Sequence, residues 1–295
     1  MPWKTTVNRA LSKTVGMELR RIDGPPAARK APKKRPVGKL RAGDRLIAQP
    51  TFVLCTLRSG STLMRMLLNS HSQLHAPHEI HLRYVSVNLD AKWSERSLKE
   101  MGLDQKGLEY LLWDRVLHRE LAASGKPFIV DKTPNNVFIV DRLKECWPDA
   151  RFIHLLRHPA SIARSRKEMN PDVEDEKNVD LIRRYCESLE KARQTYEGVT
   201  VRYEELTTDP EATMRKVCAH LDVPFEPSML EYGKFDHGRL KAGLGDFKEK
   251  IRSGEVQPPA PLPAPEEVPV ALRASAVAWG YMTADEAAQA PAPTA

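Results

Sequence analysis

Apolar and polar positions alternate along this chain in two periods. From Thr51 it runs through apolar Phe52, Val53 and Leu54 and breaks into the polar stretch Arg58-Ser59-Gly60-Ser61-Thr62. Met64, Leu67 and Leu68 then recur at helical spacing. The pattern predicts a buried strand, a tight turn and an amphipathic helix. Residues 151–165 repeat it: Phe152 to Leu156 predict a strand, Pro159 suits a first helical position, and Ser165 falls on the helix that follows. Pro127 to Asp131 and Val199 to Tyr203 read as further strands. Residues 81–100 and 105–124 read as helices, and Val140, Leu143 and Trp147 mark another. Ile182, Tyr185, Leu189, Ala192 and Tyr196 form a long helical stripe. Asp209 and Pro210 predict an N-cap and first turn ahead of Met214, Val217 and Leu221. Strands alternating with helices predict an α/β fold, a parallel sheet flanked by helices in a single domain.

The flanks differ in composition. The first 50 residues hold 13 Lys/Arg and 3 Asp/Glu against a net charge of +7 for the whole chain, so the remainder is slightly acidic. The basic excess belongs to a leader, and nucleic-acid binding does not follow from it. Val7, Leu11, Val15 and Leu19 recur every four residues among Lys4, Arg9, Lys13, Arg20 and Arg21, so residues 1–21 could form a basic amphipathic helix able to lie on an anionic membrane. Residues 24–45 read as a Pro-rich basic linker, residues 46–256 as the main domain, and residues 257–295 as a Pro/Ala-rich tail with a short helix near Ala271 to Tyr281. No apolar run is long enough to span a bilayer, and no secretory signal is visible. Four widely spaced cysteines without a CxxC pair read as buried thiols, which predicts a cytoplasmic protein.

The turn at residues 58–62 aims backbone N–H groups and the positive end of a helix at one point, the arrangement that binds phosphate or sulfate. Gly60 allows close approach, Ser61 and Thr62 add hydroxyls, and Arg58 adds charge. With one glycine and no lysine it is not a Walker A loop; the plain alternative is a polar turn between strand and helix. Arg157, at the end of the second strand, and Ser165 could both reach one ligand at the carboxyl edge of a parallel sheet. Two anion-binding strand ends predict a ligand with two separated anionic groups.

The pair Leu57-Arg58-Ser59-Gly60-Ser61-Thr62 and Leu156-Arg157-His158-Pro159 with Ser165 resembles the two cofactor motifs of the PAPS-dependent sulfotransferases. The likeness is to the tyrosylprotein sulfotransferase-like branch and to bacterial sulfotransferases of small-molecule and polyketide pathways, and it runs from about residue 50 to about 255. It implies a P-loop-like fold. It also implies a loop of Arg58, Ser59, Gly60, Ser61 and Thr62 on the 5′-phosphosulfate of 3′-phosphoadenylyl sulfate (PAPS), and Arg157 and Ser165 on its 3′-phosphate. Pro77-His78-Glu79-Ile80-His81-Leu82 follows the first helix where relatives carry a catalytic glutamate. Val130-Asp131-Lys132-Thr133-Pro134 resembles the segment whose lysine touches the sulfuryl group. Tyr203 stands where a tyrosine contacts the nucleotide, and Ser253 where a late serine reaches the sulfonate. Leu57 replaces a common proline, His158 a common aspartate, and Ser61 a frequent threonine.

On this reading Arg58 and Lys132 stabilise charge in an in-line transfer, and Glu79 accepts the proton of a hydroxyl acceptor, with His78 and His81 as runner-up bases. The acceptor is a small molecule, polyketide or glycoconjugate. No metal is required: His71, His75, His78 and His81 are interrupted by Pro77 and have no cysteine nearby. A P-loop-type kinase and a nucleotide-binding protein without catalysis are the alternatives. The acceptor's identity and the oligomeric state are not readable from the sequence.

Overall fold

The structure, a computed structural model, describes residue 40, residues 42–238, residue 251 and residues 253–291. The basic leader and its amphipathic pattern at residues 1–21 lie outside the described residues, as do Lys250 and Arg252 of the late loop.

Five strands form one parallel sheet: β1 (Thr51–Cys55), β2 (Leu74–His75), β3 (Phe128–Asp131), β4 (Arg151–Leu156) and β5 (Val199–Arg202), in the order β2-β3-β1-β4-β5. Helices connect them: α1 (Ser61–Asn69), α2 (Lys92–Glu100), α3 (Gln105–Ser124), α4 (Val140–Cys146), α5 (Pro159–Met169), α6 (Asp175–Thr195), α7 (Tyr203–Thr208), α8 (Pro210–His220), α9 (Val270–Ala278) and α10 (Ala284–Gln289). Successive strand residues point to opposite faces, so each face has its own core. Phe52, Leu54 and Phe152 pack with Trp113, Trp147, Leu189 and Leu272 on one side. Val53, Cys55, Ile153 and Leu155 pack with Met64, Leu67, Met214 and Val217 on the other. The four cysteines are buried and unbridged.

Because every strand is parallel, all five carboxyl ends lie along one edge. β1 is central, and the chain crosses over it between β3 and β4, so the ends of these three strands flank a switch point. Each strand end leads directly into a candidate residue: β1 into Arg58, β2 into Glu79, β3 into Lys132, β4 into Arg157 and β5 into Tyr203. Residues scattered over about half the chain are gathered there by topology.

Three local expectations change. Residues 81–100 are not one helix. A 3₁₀ turn at Leu82–Tyr84 gives way to an extended strap before α2 begins at Lys92. The strap is tied to α3: the Trp113 indole donates to the Val85 carbonyl at 2.9 Å, and the Val87 N–H donates to Glu109 at 3.3 Å. Tyr203 opens α7 rather than closing β5. The core also runs past residue 256. Leu272, Ala276 and Trp279 of the C-terminal segment are buried against α6, and the Trp279 indole donates to Glu190 at 3.0 Å. Arg202 donates to the Trp279 carbonyl at 2.7 Å, which seals this segment to the end of β5. Asp209 caps α8 as expected, accepting from the Ala212 N–H at 3.0 Å.

Candidate active site

The turn after β1 closes on itself. The Ser59 hydroxyl donates to the Thr56 carbonyl at 2.8 Å and is fully buried, so its side chain faces inward. Gly60 takes φ +80° at the N-cap of α1. A Cβ there would lie 2.2 Å from Cδ2 of Tyr203, so glycine serves both the left-handed backbone and the seat of that ring. Arg58, with φ +60°, is one of three non-glycine residues in the left-handed region among those described; such conformations gather at functional sites.

Arg157 ties the second motif to the first. Its Nη1 donates to the Arg58 carbonyl at 2.7 Å, and its guanidinium lies over the Tyr203 ring, 4.5 Å from the centroid. Arg58 Nε reaches Ser165 Oγ at 3.4 Å. Arg157 Nε is buried and has no hydrogen-bond partner among the described residues. Burial pushes the Arg157 guanidinium below its ordinary pKa, though an arginine starts high enough to stay charged. A buried cation with an unmatched donor fits an anion such as a phosphate. Arg58, Ser61, Thr62, Arg157, Ser165 and Tyr203 all line one cleft of about 450 Å³, in the range of small-molecule sites. Ser161, Arg164 and Glu168 join them. These three went unread in the sequence, but they share a helical face with Ser165.

Glu79 lines the same cleft. Its Oε1 pairs with the ammonium of Lys132, which is buried, and its Oε2 lies 3.4 Å from His81 Nε2. Thr133 braces this segment: its hydroxyl oxygen accepts from the Ile80 N–H at 3.1 Å and donates to Asp131 at 2.9 Å. Asn136 donates to the other Asp131 oxygen at 2.8 Å; burial still raises the Asp131 pKa above the usual carboxylate range.

Two residues on α1 hold Glu79 from the other side, and neither stood out in the sequence. Arg65 is buried, and its Nη1 donates to the Ala76 carbonyl at 3.2 Å. Asn69 Oδ1 accepts from the Ala76 N–H at 2.9 Å. At i and i+4 they grip both sides of the residue three before Glu79. The helix that opens on the anion loop therefore also fixes the backbone of Ala76, ahead of Glu79.

The remaining candidates lie elsewhere. His78 lines a second cavity of about 590 Å³ that shares Glu79 with the cleft. Ser253 is exposed and donates to the Glu255 carbonyl at 3.2 Å, while its neighbours Ile251 and Glu255 line the cleft. The four histidines diverge: His71 bonds to the Pro224 carbonyl at 2.8 Å, His75 and His78 face the second cavity, and His81 meets Glu79.

Residues 50–227, more than half the chain, match the model of the sulfotransferase family. The chain belongs to the sulfotransferase family. The sulfotransferase domain from the curacin biosynthetic pathway superposes with a TM-score of 0.58 at 21% identity, over 80% of this chain and 99% of that one. The sulfotransferase domain of the Synechococcus PCC 7002 olefin synthase gives 0.57 at 20%, over 85% and 98%. The chain thus has the P-loop-like α/β fold of those domains. In sequence it is 24% identical to protein-tyrosine sulfotransferase A of Caenorhabditis elegans, over 59% of this chain and 50% of that protein. An uncharacterized protein of Aquifex aeolicus is 28% identical, over 75% and 32%. The chain spans between about a third and a half of the length of these curated relatives. Among the described residues, no helix is long and apolar enough to cross a membrane.

Proposed function

We propose that this protein moves a sulfuryl group from PAPS to a hydroxyl of a small-molecule, polyketide or glycoconjugate acceptor. The observation that carries the reading is the single cleft that joins an arginine–serine anion site to a carboxylate–lysine pair. Arg157, with its unmatched buried Nε, and Ser165 would hold the 3′-phosphate. Ser61, Thr62 and the N–H groups at the start of α1 would hold the 5′ end, with Arg58 beside them. Tyr203, seated on Gly60, would wall the nucleotide. When bound, the donor supplies the sulfuryl group and a bisphosphate leaving group.

The protein's own part is to position and to neutralise charge, by analogy with phosphoryl transfer. Lys132 holds Oε1 of Glu79 and fixes the carboxylate, which leaves Oε2 to take the acceptor's proton. Arg58 and Lys132 bring positive charge to the end of the cleft where negative charge develops. His81, 3.4 Å from Oε2, orients that oxygen; His78 faces the acceptor side. The chemistry asks for no metal. Four buried, unbridged thiols support a reducing, cytoplasmic setting.

Thermal shift tests the reading. Adenosine 3′,5′-bisphosphate (PAP) should stabilise the protein without added metal, and Mg·ATP should not. Stabilisation by Mg·ATP alone would replace this reading with a kinase.

A further inference from the structure

The second cavity is built differently from the cleft, and its wall is selective in charge. The two spaces share Glu79, so a hydroxyl compound lying in the second cavity would lie beside the proposed base. Among the described residues the wall carries apolar Val116, Ile80 and the half-exposed Phe235 ring, Glu120 and Asp236 besides the shared Glu79, and one lysine, Lys126.

That cation is fully engaged. Lys126 Nζ donates to the carbonyls of Asn69, His71 and Leu74 at 2.8, 2.9 and 2.9 Å, which accounts for its three protons. Two other nearby cations, Arg65 and Lys132, are buried and are not part of the wall; Arg65 bonds to the Ala76 carbonyl and Lys132 pairs with Glu79. Two imidazoles of the wall, His75 and His237, do not supply charge. Asn69 Oδ1 accepts from the Ala76 N–H, which turns its amide Nδ2–H toward His237 Nδ1 at 3.2 Å. Nδ1 must then accept, and Nε2–H donates to the Tyr232 carbonyl at 2.7 Å; the ring is neutral. Burial, acting first, moves the pKa values of His237 and His75 down in the same sense.

We infer that the second cavity receives the acceptor and selects hydroxyl compounds bearing a cationic group, such as a primary amine, over anionic ones. This rests on the sulfuryl-transfer reading and names the acceptor class of the same site. An ammonium meets Glu120, Asp236 and the Phe235 side chain; a carboxylate or phosphate meets like charge and, among the described residues of the wall, only a lysine whose protons are already engaged.

Three matched phenols test it with PAPS as donor: tyramine, 4-methylphenol and 3-(4-hydroxyphenyl)propionate. For the wild type, kcat/KM should be highest for tyramine and about tenfold or more above the propionate, the scale of charge complementarity against charge repulsion across a partly buried wall. In the Glu120→Gln/Asp236→Asn double variant the ratio should fall to within about threefold. PAP affinity should be retained, since neither residue lines the cleft. A propionate rate equal to or above that of tyramine, or an unchanged ratio in the double variant, would overturn the inference. Calorimetric titration of the same phenols into the PAP-loaded protein supplies a readout independent of turnover. The same order is expected, and no binding of any of the three at millimolar concentration also overturns it. A protein that fails to bind PAP at all would instead overturn the donor reading.

Discussion

The guanidinium of Arg65 donates to the carbonyl of Ala76 at 3.2 Å, from inside the core. With Asn69 on the N–H of the same residue, it joins the helix of the anion loop to the segment that carries Glu79. If this clamp positions the base, Arg65→Met should lower kcat by about tenfold or more, the scale of a lost hydrogen bond to a charged group. PAP affinity should hold, because the loop at the other end of α1 is untouched. Single-turnover rates and PAP calorimetry read the two separately. Equal losses in both would make Arg65 a general stabiliser instead.

Gly60 should not tolerate a side chain. An added Cβ clashes with the Tyr203 ring and forces a left-handed alanine. Gly60→Ala should weaken PAP binding by about tenfold or more, in the range of the strain cost of such a backbone. Combining it with Tyr203→Ala should not restore the affinity, since the backbone strain remains. Calorimetry of the three variants checks the order.

Arg157 should decide between nucleotides. Wild type should prefer PAP to AMP, and Arg157→Ala should erase most of that preference, about 1.5–3 kcal/mol for a charge-assisted hydrogen bond. Similar wild-type affinities for PAP and AMP would break the assignment of Arg157 and Ser165 to a 3′-phosphate.

Much of this was legible in the sequence because strand, turn and helix recur with period-specific patterns and because the candidates Arg58, Glu79, Lys132, Arg157 and Tyr203 each follow a strand. What was hidden had physical causes. β2 is only two residues long, too short to show alternation. Residues 85–91 read as helix because their capture by Trp113 and Glu109 is a long-range event. Arg65 sits where a charged residue on an amphipathic helix normally meets solvent, and only the return of the chain past Ala76 buries it. Ser59 matched the motif, yet its hydroxyl closes the turn. The C-terminal segment has the composition of an extended tail, but Leu272, Ala276 and Trp279 give its helix a face to bury on α6.

Stability should fall in mild acid. His154 and His158 are buried, and burial pushes both down to about 4. Arg193 and His220 lower His154 further while Glu190 opposes; Arg164 and Arg157 lower His158 further while Glu267 opposes. In the unfolded chain histidine titrates near about 6.5. The unfolded state therefore binds protons that the folded state refuses, and stability present above about 6.5 is lost as pH falls toward 4. Melting temperature should drop over that window, and His154→Leu should flatten the drop. A melting temperature constant from pH 7 to 5 would contradict it.

The most direct measurement of the central claim is transfer of labelled sulfuryl from PAPS to a hydroxyl acceptor, wild type against Glu79→Gln. The wild type should transfer without added metal. The variant should bind PAP normally and lose about 10²–10⁴-fold in turnover on an aliphatic alcohol, the range for a general base. Near-normal turnover in Glu79→Gln would remove Glu79 from the role, and no transfer by a wild type that binds PAP and acceptor would contradict the account itself.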